Sequence, residues 1–525
     1  MSRPAQITPA AALEAVRAVA EHGGVSAAAR AIGMTRAALQ RRCRRAAAWG
    51  ITAHGETHAT RPRALAGQGL RRFLFTAAQS NAEVHPEVWR NLVALAEHYG
   101  ARLMVGPLRY NHTEQHAAQE VGGGTVDRSE WYAPEVEPYL CADRVEVCPG
   151  LIWAGDMNII PTAIDPLSGL DSFTGLASCV IAHPQIALKS IATPPGRPCK
   201  MNYTTGAVTL RRYIKRKAGL KAEFHHAFAA LLVEVDSTGD WFARHVNASS
   251  DGMLCDLDIV VEGGEVTTGN RVEVLTPGDL HGTKADPVAV AAVWGAGGLA
   301  DTLRPVAQVL HDVLNFGSRS HHNSVTELLA LHRDKADSVE GEIGQTAELL
   351  HGIARRDCIT YVAKANHDEH LDRWIRDTDW RRDPPNAAFY LATASAWAEA
   401  IARGEDFDPA AWALRRAGLP RNIRFLSRAD VLELAGIRHD MHGDIGPNGA
   451  RGSARNLARL GERVNVGHSH SAAIVQGAYQ AGTLSVLDMG YNRGPSSWSH
   501  SLILTYRNGK RAIITLRGQK WRAVA

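Results

Sequence analysis

The chain has only seven cysteines in 525 residues, an odd number with no CxxC pair among them. That excludes a complete disulfide framework and a zinc ribbon, and it fits a reducing cytosol. Long apolar runs are also missing: none approaches the roughly 18 residues needed to span a bilayer. The first residues lack the basic-then-apolar pattern of a secretory signal. The expectation is therefore a cytoplasmic chain with no membrane partner. Lysine and aspartate are absent from residues 1–65, which carry ten Arg and three Glu, a charge of +7. The whole chain is +4, so the remainder is 4 − 7, or −3. A small basic head on a nearly neutral body points to a polyanion partner for the head. What is present otherwise, 45% hydrophobic and 21% charged residues, is ordinary for a protein with ample core and two to four domains.

The head reads ITPAAALEAVRAVAEHGGVSAAARAIGMTRAALQRRCRRAAAWGIT. Helical periodicity runs from Ala10 to Glu21 and stops at Gly23-Gly24. A second helix is expected over Ser26–Ile32 with Ser26 as its cap, then a turn at Gly33 and a third helix capped by Thr35. Ala28, Ala29, Ile32, Gly33, Thr35, Arg36, Leu39 and Arg42 resemble the Fis-like helix-turn-helix of bacterial DNA-binding proteins. The resemblance implies a third helix that enters the major groove, with Arg36, Gln40, Arg41, Arg44 and Arg45 contacting bases or phosphates. The plainer alternative is an arginine-rich helical hairpin used for packing or for RNA.

Residues 51–69 are polar and aperiodic and read as a linker. RRFLFTAAQ, PEVWRNLVALAEHYG and ARLMVGPLR then give strand, helix and strand, a βαβ unit. A loop follows from Asn111 to Pro138. Residues 70–270 are expected to form an α/β domain, and residues 271–525 a second one. In the latter, strands RVEVLT, VAQVLHDV, CITYVAKA and RVNVG alternate with helices, including a long one over Asn323–Arg356. HSLILTYRNGKRAIITLRG closes the chain as a hairpin turning at Asn508-Gly509.

Polar residues recur just past these strands. They are Asp279 and His281 in PGDLHG, Asp312 in HDV, Asn366, His367 and Asp368 in ANHDEH, His442 in DMHGD, and His468 and His470 in GHSH. Ligands gather at the carboxyl ends of strands in α/β sheets, and alternating residues share a face. This order of motifs resembles the calcineurin-like metallophosphoesterase family over residues 271–525. It departs from the family where His311 precedes Asp312 in place of Gly, and where Ala365 replaces another Gly. His321 and His322 have no place in the family pattern. The resemblance implies a β-sandwich flanked by helices and a site for two divalent ions, manganese first, with iron or zinc as alternatives. It implies Asp279, His281 and His470 on one ion, Asn366, His442 and His468 on the other, and Asp312 bridging. It further implies phosphodiester hydrolysis by a metal-activated hydroxide, with His367 acting on the phosphoryl group or leaving oxygen and Asp368 orienting His367.

Basic residues Arg211, Arg212 and Lys215 interleave with Tyr213 in YTTGAVTLRRYIKRKAGLKAEFHH and suit a nucleic-acid backbone with base stacking. A solvated helix face is the alternative. Arg451 in GDIGPNGARG is a phosphate-cradling candidate beside His442. The strings FLFTAAQSN, YNHTEQ, MNYTTGAVT and HGDIGPNGARG resemble phage-encoded DNases of the metallophosphatase fold. The expected function is thus a two-metal DNA nuclease with DNA as partner, working in the bacterial host cytoplasm. The alternatives are a small-molecule phosphatase or cyclic-nucleotide phosphodiesterase, and a DNA-binding regulator on a catalytically dead fold. A homo-oligomer is left open.

Overall fold

A computed structural model describes residues 7–22, 24–48, 51, 63–65, 67, 69–110 and 131–524. Most of the expected linker, and the loop from Asn111 up to residue 130, lie outside the described residues. The chain divides into two compact units, Met1–Arg63 and Ala64–Ala525.

The first unit holds helices Pro9–His22, Val25–Ala31 and Arg36–Ala48. Small residues Ala15, Ala18, Ala28 and Ala29 let the helices approach closely around Leu39. Gly33, at φ +64°, makes the turn before the third helix, and Thr35 Oγ1 accepts from the Ala38 N–H (3.2 Å). The second helix begins one residue earlier than expected. Its cap position is Gly24, and Ser26 lies inside the helix. Arg36, Arg41, Arg44 and Arg45 are at least partly exposed on the third helix, and Gln40 is half-buried.

The second unit is a mixed α/β structure. The expected βαβ unit is present: strand Arg71–Gln79, helix Pro86–Tyr99 and strand Arg102–Leu108, with the two strands parallel. Strands Ala229–Val235 and Trp241–Asn247 extend that sheet antiparallel. A second sheet is parallel across Ile423–Phe425, Ile359–Val362, Ala307–Leu310 and Val274–Thr276, and then antiparallel through Ser501–Thr505 and Arg511–Thr515. One of its faces carries helices, packed through Leu275, Leu310, Val362, Leu350 and Trp374. A long mixed sheet, which includes Val464–Val466, meets the hairpin side through Asn465, whose amide donates to Thr505 Oγ1 (3.0 Å).

The boundary expected at 270/271 does not separate compact units. Strand Ala473–Val475 pairs with Ala187–Ile191, so the two halves share one sheet. The single helix expected over Asn323–Arg356 is two helices, Val325–Arg333 and Val339–Ile353. Lys335 takes φ +55° between them, and Ser338 caps the second by accepting from the Gly341 N–H (3.0 Å). Apolar periodicity continues through this break, but the local side-chain cap separates the helices. In the final hairpin only Gly509 of the expected Asn-Gly pair has positive φ. Thr505 pairs with Arg511, so the connection spans five residues.

Arg244, 2% exposed, lies between two buried carboxylates, with Nη1–Glu234 Oε2 at 2.7 Å and Nε–Asp256 Oδ1 at 2.6 Å. Arg244→Met would leave buried Asp256 without a cation, with only the Tyr99 hydroxyl on it (2.5 Å), while Glu234 would keep Arg72 (2.8 Å). The expected loss is roughly 3–5 kcal/mol of unfolding free energy, measured by chemical denaturation; a change near zero would show that the network is dispensable.

Candidate metal centre

Asp279, His281, Asp312, Asn366, His442, His468 and His470 converge at the carboxyl edge of the parallel strands. The bridge from Asp279 to His311 sets the first and second of these segments side by side, and the His468 N–H on the Asp279 carboxylate brings in the last. Asp279 is fully buried and Asp312 nearly so. His470 Nε2 lies 3.0 Å from Asp279 Oδ2 and 3.0 Å from His281 Nε2. His442 Nε2 lies 3.3 Å from Asp312 Oδ2 and 3.0 Å from Asn366 Oδ1. The His468 ring packs on His442, with centroids 5.2 Å apart. Asp312 Oδ2 is also 3.9 Å from His281 Nε2, so this carboxylate stands between the two sets of imidazoles.

Backbone geometry aims these groups. His281, Asp312, His468 and His470 have φ of +50°, +43°, +72° and +59°. They are four of twelve non-glycine residues with positive φ among the described residues, a conformation that survives only where its surroundings impose it. The N–H of His468 donates to both oxygens of Asp279 (3.1 and 2.9 Å), and that of His281 to the Asp312 carbonyl (2.7 Å). Gly467 leaves room for the carboxylate, because a Cβ there would stand 2.2 Å from Asp279 Oδ1 and force that side chain to move.

The charges in this cluster are set by its neighbours. Burial alone would raise both carboxyls, but His442 and His470 hold Asp279 well below the usual range, and His442 and His367 do the same for Asp312. Burial would depress His442, yet Asp312 and Asp279 raise it to about 9. Burial pushes His281 down to about 3. Two ionised carboxylates and several neutral imidazoles inside a protein form a cation-binding set. The buried Nδ1 atoms of His281, His442 and His470 have no hydrogen-bond partner. Ligand atoms of Asp279, His281 and His470, of Asp279, Asp312 and His442, and of His281, Asp312 and His367 each lie within 4.8 Å of one another. These residues therefore fit divalent ions, with oxygen and imidazole donors and no thiolate.

His367 stands beside this set, its ring 4.5 Å from that of His281. Its Nδ1 donates to the Asn315 carbonyl (3.0 Å), which orients the ring. The orienting role expected of Asp368 is thus filled by a backbone carbonyl. Asp368 is buried and accepts from the Leu314 N–H (3.0 Å), and burial together with Asp312 pushes its pKa well above the ordinary value. It positions the segment that carries Asn315.

The basic-stretch candidates are engaged within the protein. Arg211 donates to the His226 carbonyl (3.3 Å), Arg212 to the Asn81 carbonyl (2.8 Å), and Lys215 pairs with Glu223 (2.6 Å). Tyr213 is 5% exposed and hydrogen-bonds His226 (2.7 Å), so it offers no face to a base. Arg451 is exposed in a closed turn after His442, where the Gly452 N–H donates to the Asp444 carbonyl (2.7 Å).

The sequence does not point to His311, Trp498 or His370. His311 is buried, neither ring nitrogen is hydrogen-bonded, and its ring lies 5.6 Å from His442. Its signal is the departure from glycine before Asp312. Trp498 packs on His470 at 4.1 Å, and nothing nearby in sequence marks it. His370 joins His321 and His322 in a cluster that touches His367 through a 4.7 Å ring contact.

Fold and site together define a mixed α/β protein with a buried carboxylate–imidazole centre suited to divalent cations. The chain is 34% identical to Protein A1 of Escherichia phage T5 over 466 residues, 86% of this chain and 83% of that protein, and it belongs to that protein's family. No protein-family profile and no solved structure matches it. Among the described residues no helix is long and apolar enough to cross a membrane.

The pKa of His442 is raised above its ordinary 6.5 in the metal-free protein. Its contribution to stability is present in full below that ordinary value and is lost as pH rises through about 9. Cation binding at neutral pH should displace this proton. Titration calorimetry with manganese in buffers of different ionisation enthalpy should show proton release, and His442→Asn should diminish it. Buffer-independent enthalpy would contradict the assignment. Gly467→Ala should weaken manganese binding without unfolding the chain.

Proposed function

We propose that the protein is a two-metal phosphodiesterase of the calcineurin-like type that cuts DNA, with the helix-turn-helix head supplying DNA affinity. The observation that carries this reading is the ring of left-handed histidine and aspartate residues around two buried carboxylates, in the motif order of that family. Supporting it are the parallel strands that deliver the ligands, the long mixed sheet that meets them through Asn465, and kinship with a phage protein.

Asp279, His281 and His470 would hold one ion, and Asn366, His442 and His468 the other, with Asp312 between. Such ions would neutralise phosphate charge and activate water for in-line attack. The chain's own residues do the rest. His367, fixed through Nδ1 by Asn315, presents its other ring nitrogen for hydrogen bonding to a phosphoryl or leaving oxygen. The Asn366 amide is held against His442. Exposed Arg451 lies on the loop beside the centre, within the same chain segment as His442. Arg36, Arg41 and Arg44 line the third helix of the head for phosphate or base contact.

Plasmid and linear DNA incubated with manganese should be cut, and faster than a chromogenic phosphodiester. Cleavage of only the small ester would leave a small-molecule enzyme, and no cleavage of either a DNA-binding regulator. His367→Ala should keep both ions and lose about 10²- to 10⁴-fold in rate, whereas Asp279→Ala should lose ions as well. Loss of metal in His367→Ala would overturn the division of roles. Deleting residues 1–50 should weaken binding of long DNA and flatten its salt dependence, with cutting of short oligonucleotides retained.

A further inference from the structure

A second site lies at the other end of the strand that delivers His468. Arg463 enters the strand Val464–Val466, and His468 follows its exit. At the Arg463 end is a cavity of about 340 Å³ lined by Arg211, Arg463, Lys510 and Arg511, and no Asp or Glu lines it. Arg211 and Arg511 are hydrogen-bonded to neutral groups. Arg211 donates to the His226 carbonyl and lies over the Phe228 ring (4.9 Å). Arg511 donates to the carbonyls of Val464 (2.8 Å) and Gly477 (3.0 Å) and to Asn465 Oδ1 (3.0 Å), and lies 3.9 Å over the Tyr479 ring. The carboxylate that acts on Lys510, Asp251, is itself held by the Ser249 hydroxyl and the Met253 N–H. Burial and the neighbouring Arg463, Arg211 and Arg511 pull Lys510 below its ordinary pKa.

The cavity also holds buried polar atoms without partners. Asn247 is 7% exposed and His226 3%, and neither Asn247 Oδ1 nor His226 Nε2 has a hydrogen-bond partner. Both residues line the cavity. Phe224, 83% exposed, stands at the same place. Converging uncompensated cations call for an anion, and an unpaired amide oxygen beside an exposed aromatic ring calls for a planar group with N–H donors.

We propose that this cavity binds a nucleoside phosphate, with the phosphate among Arg463, Lys510 and Arg211 and the base between Phe224 and the Asn247 amide oxygen. The basic stretch, which reads in sequence as a strand-tracking surface, contributes Arg211 and Phe224 to a discrete pocket. The ligand can come as a free nucleotide or as the phosphorylated end of a strand. The site shares no residue with the metal centre.

The test is calorimetric titration of the full-length chain carrying Asp279→Asn, which disables the metal centre and leaves this cavity intact. dAMP, inorganic phosphate and a 5′-phosphorylated oligonucleotide are the probes. Saturable dAMP binding is expected, weakened about tenfold or more by Arg463→Gln with Lys510→Gln, both at solvent-accessible positions. Phe224→Ala should weaken dAMP and leave inorganic phosphate unchanged. Tighter binding of the oligonucleotide than of dAMP assigns the site to a strand end, and the reverse order to a free nucleotide. No saturable dAMP binding, or binding indifferent to Arg463→Gln and Lys510→Gln, overturns the proposal. Equal affinity for phosphate and dAMP overturns its nucleoside part.

Discussion

The architecture of the second unit turns on two carboxylates, Asp279 and Asp312, buried side by side at the edge of a sheet. Two anions removed from water in close proximity repel each other and forgo hydration, a penalty of several kcal/mol per ion. Hydrophobic packing cannot offset that. The surroundings do so with positive charge and with N–H groups: the His468 amide reaches both oxygens of Asp279, the His367 amide reaches Asp312 Oδ1 at 3.0 Å, and His442 takes up a proton between them. One imidazolium against two carboxylates leaves an excess of negative charge, and burial keeps imidazoles such as His281 neutral. A cation is the species that resolves this balance, and the neutral ring nitrogens are in the form that ligates one.

The strained backbone follows from the same constraint. His281, Asp312, His468 and His470 take left-handed conformations in which an ordinary side chain is disfavoured by about 1–3 kcal/mol each. Together they bend three chain segments back over the strand ends. Gly467 lets the backbone pass against Asp279 where a Cβ would collide. Asn315 and Asp368 extend the arrangement outward by fixing the ring of His367 and the loop before it. The sheets pack tightly behind this edge, through Asn465, Thr505 and Arg511, so the ligand-bearing loops spring from a rigid base.

Much of this is legible in the sequence because the signals are local. Strand ends followed by Asp-x-His, Asn-His-Asp and Gly-His-x-His place donors at one edge of a parallel sheet, and the structure brings those seven residues together. Turn and cap chemistry around Gly33 and Thr35 marks the three helices of the head. What escapes depends on tertiary neighbours. Arg212 finds its partner in the distant Asn81, and Arg211 and Lys215 find theirs, His226 and Glu223, only once the stretch folds back on itself; a basic stretch with an aromatic reads alike whether its tyrosine faces water or His226. The sharing of one sheet by Ala187–Ile191 and Ala473–Val475 is likewise a contact between residues nearly three hundred apart. The broken helix at Lys335 is a different case: apolar spacing outvotes Ser338, a cap that stands plainly in the sequence.

Charge is distributed so that the two ends of the strand Val464–Val466 differ in sign. At its exit buried acids collect cations, and at its entry Arg463, Arg511 and Lys510 line a cavity without acids. A three-residue strand separates the two, short enough for their fields to be felt across it, since the interior screens weakly. An anionic chain attracted to the basic end would meet a repulsive field at the carboxylate edge until that edge is charged with divalent ions. Loading the metal centre would then do more than supply reactivity. It would remove an electrostatic barrier to the polyanion, making cation occupancy a precondition for nucleic acid to approach the edge at all. The basic head, with +7 on residues 1–65, differs from the metal centre in this respect, because any attraction it would exert on a polyanion does not depend on how many ions that centre holds.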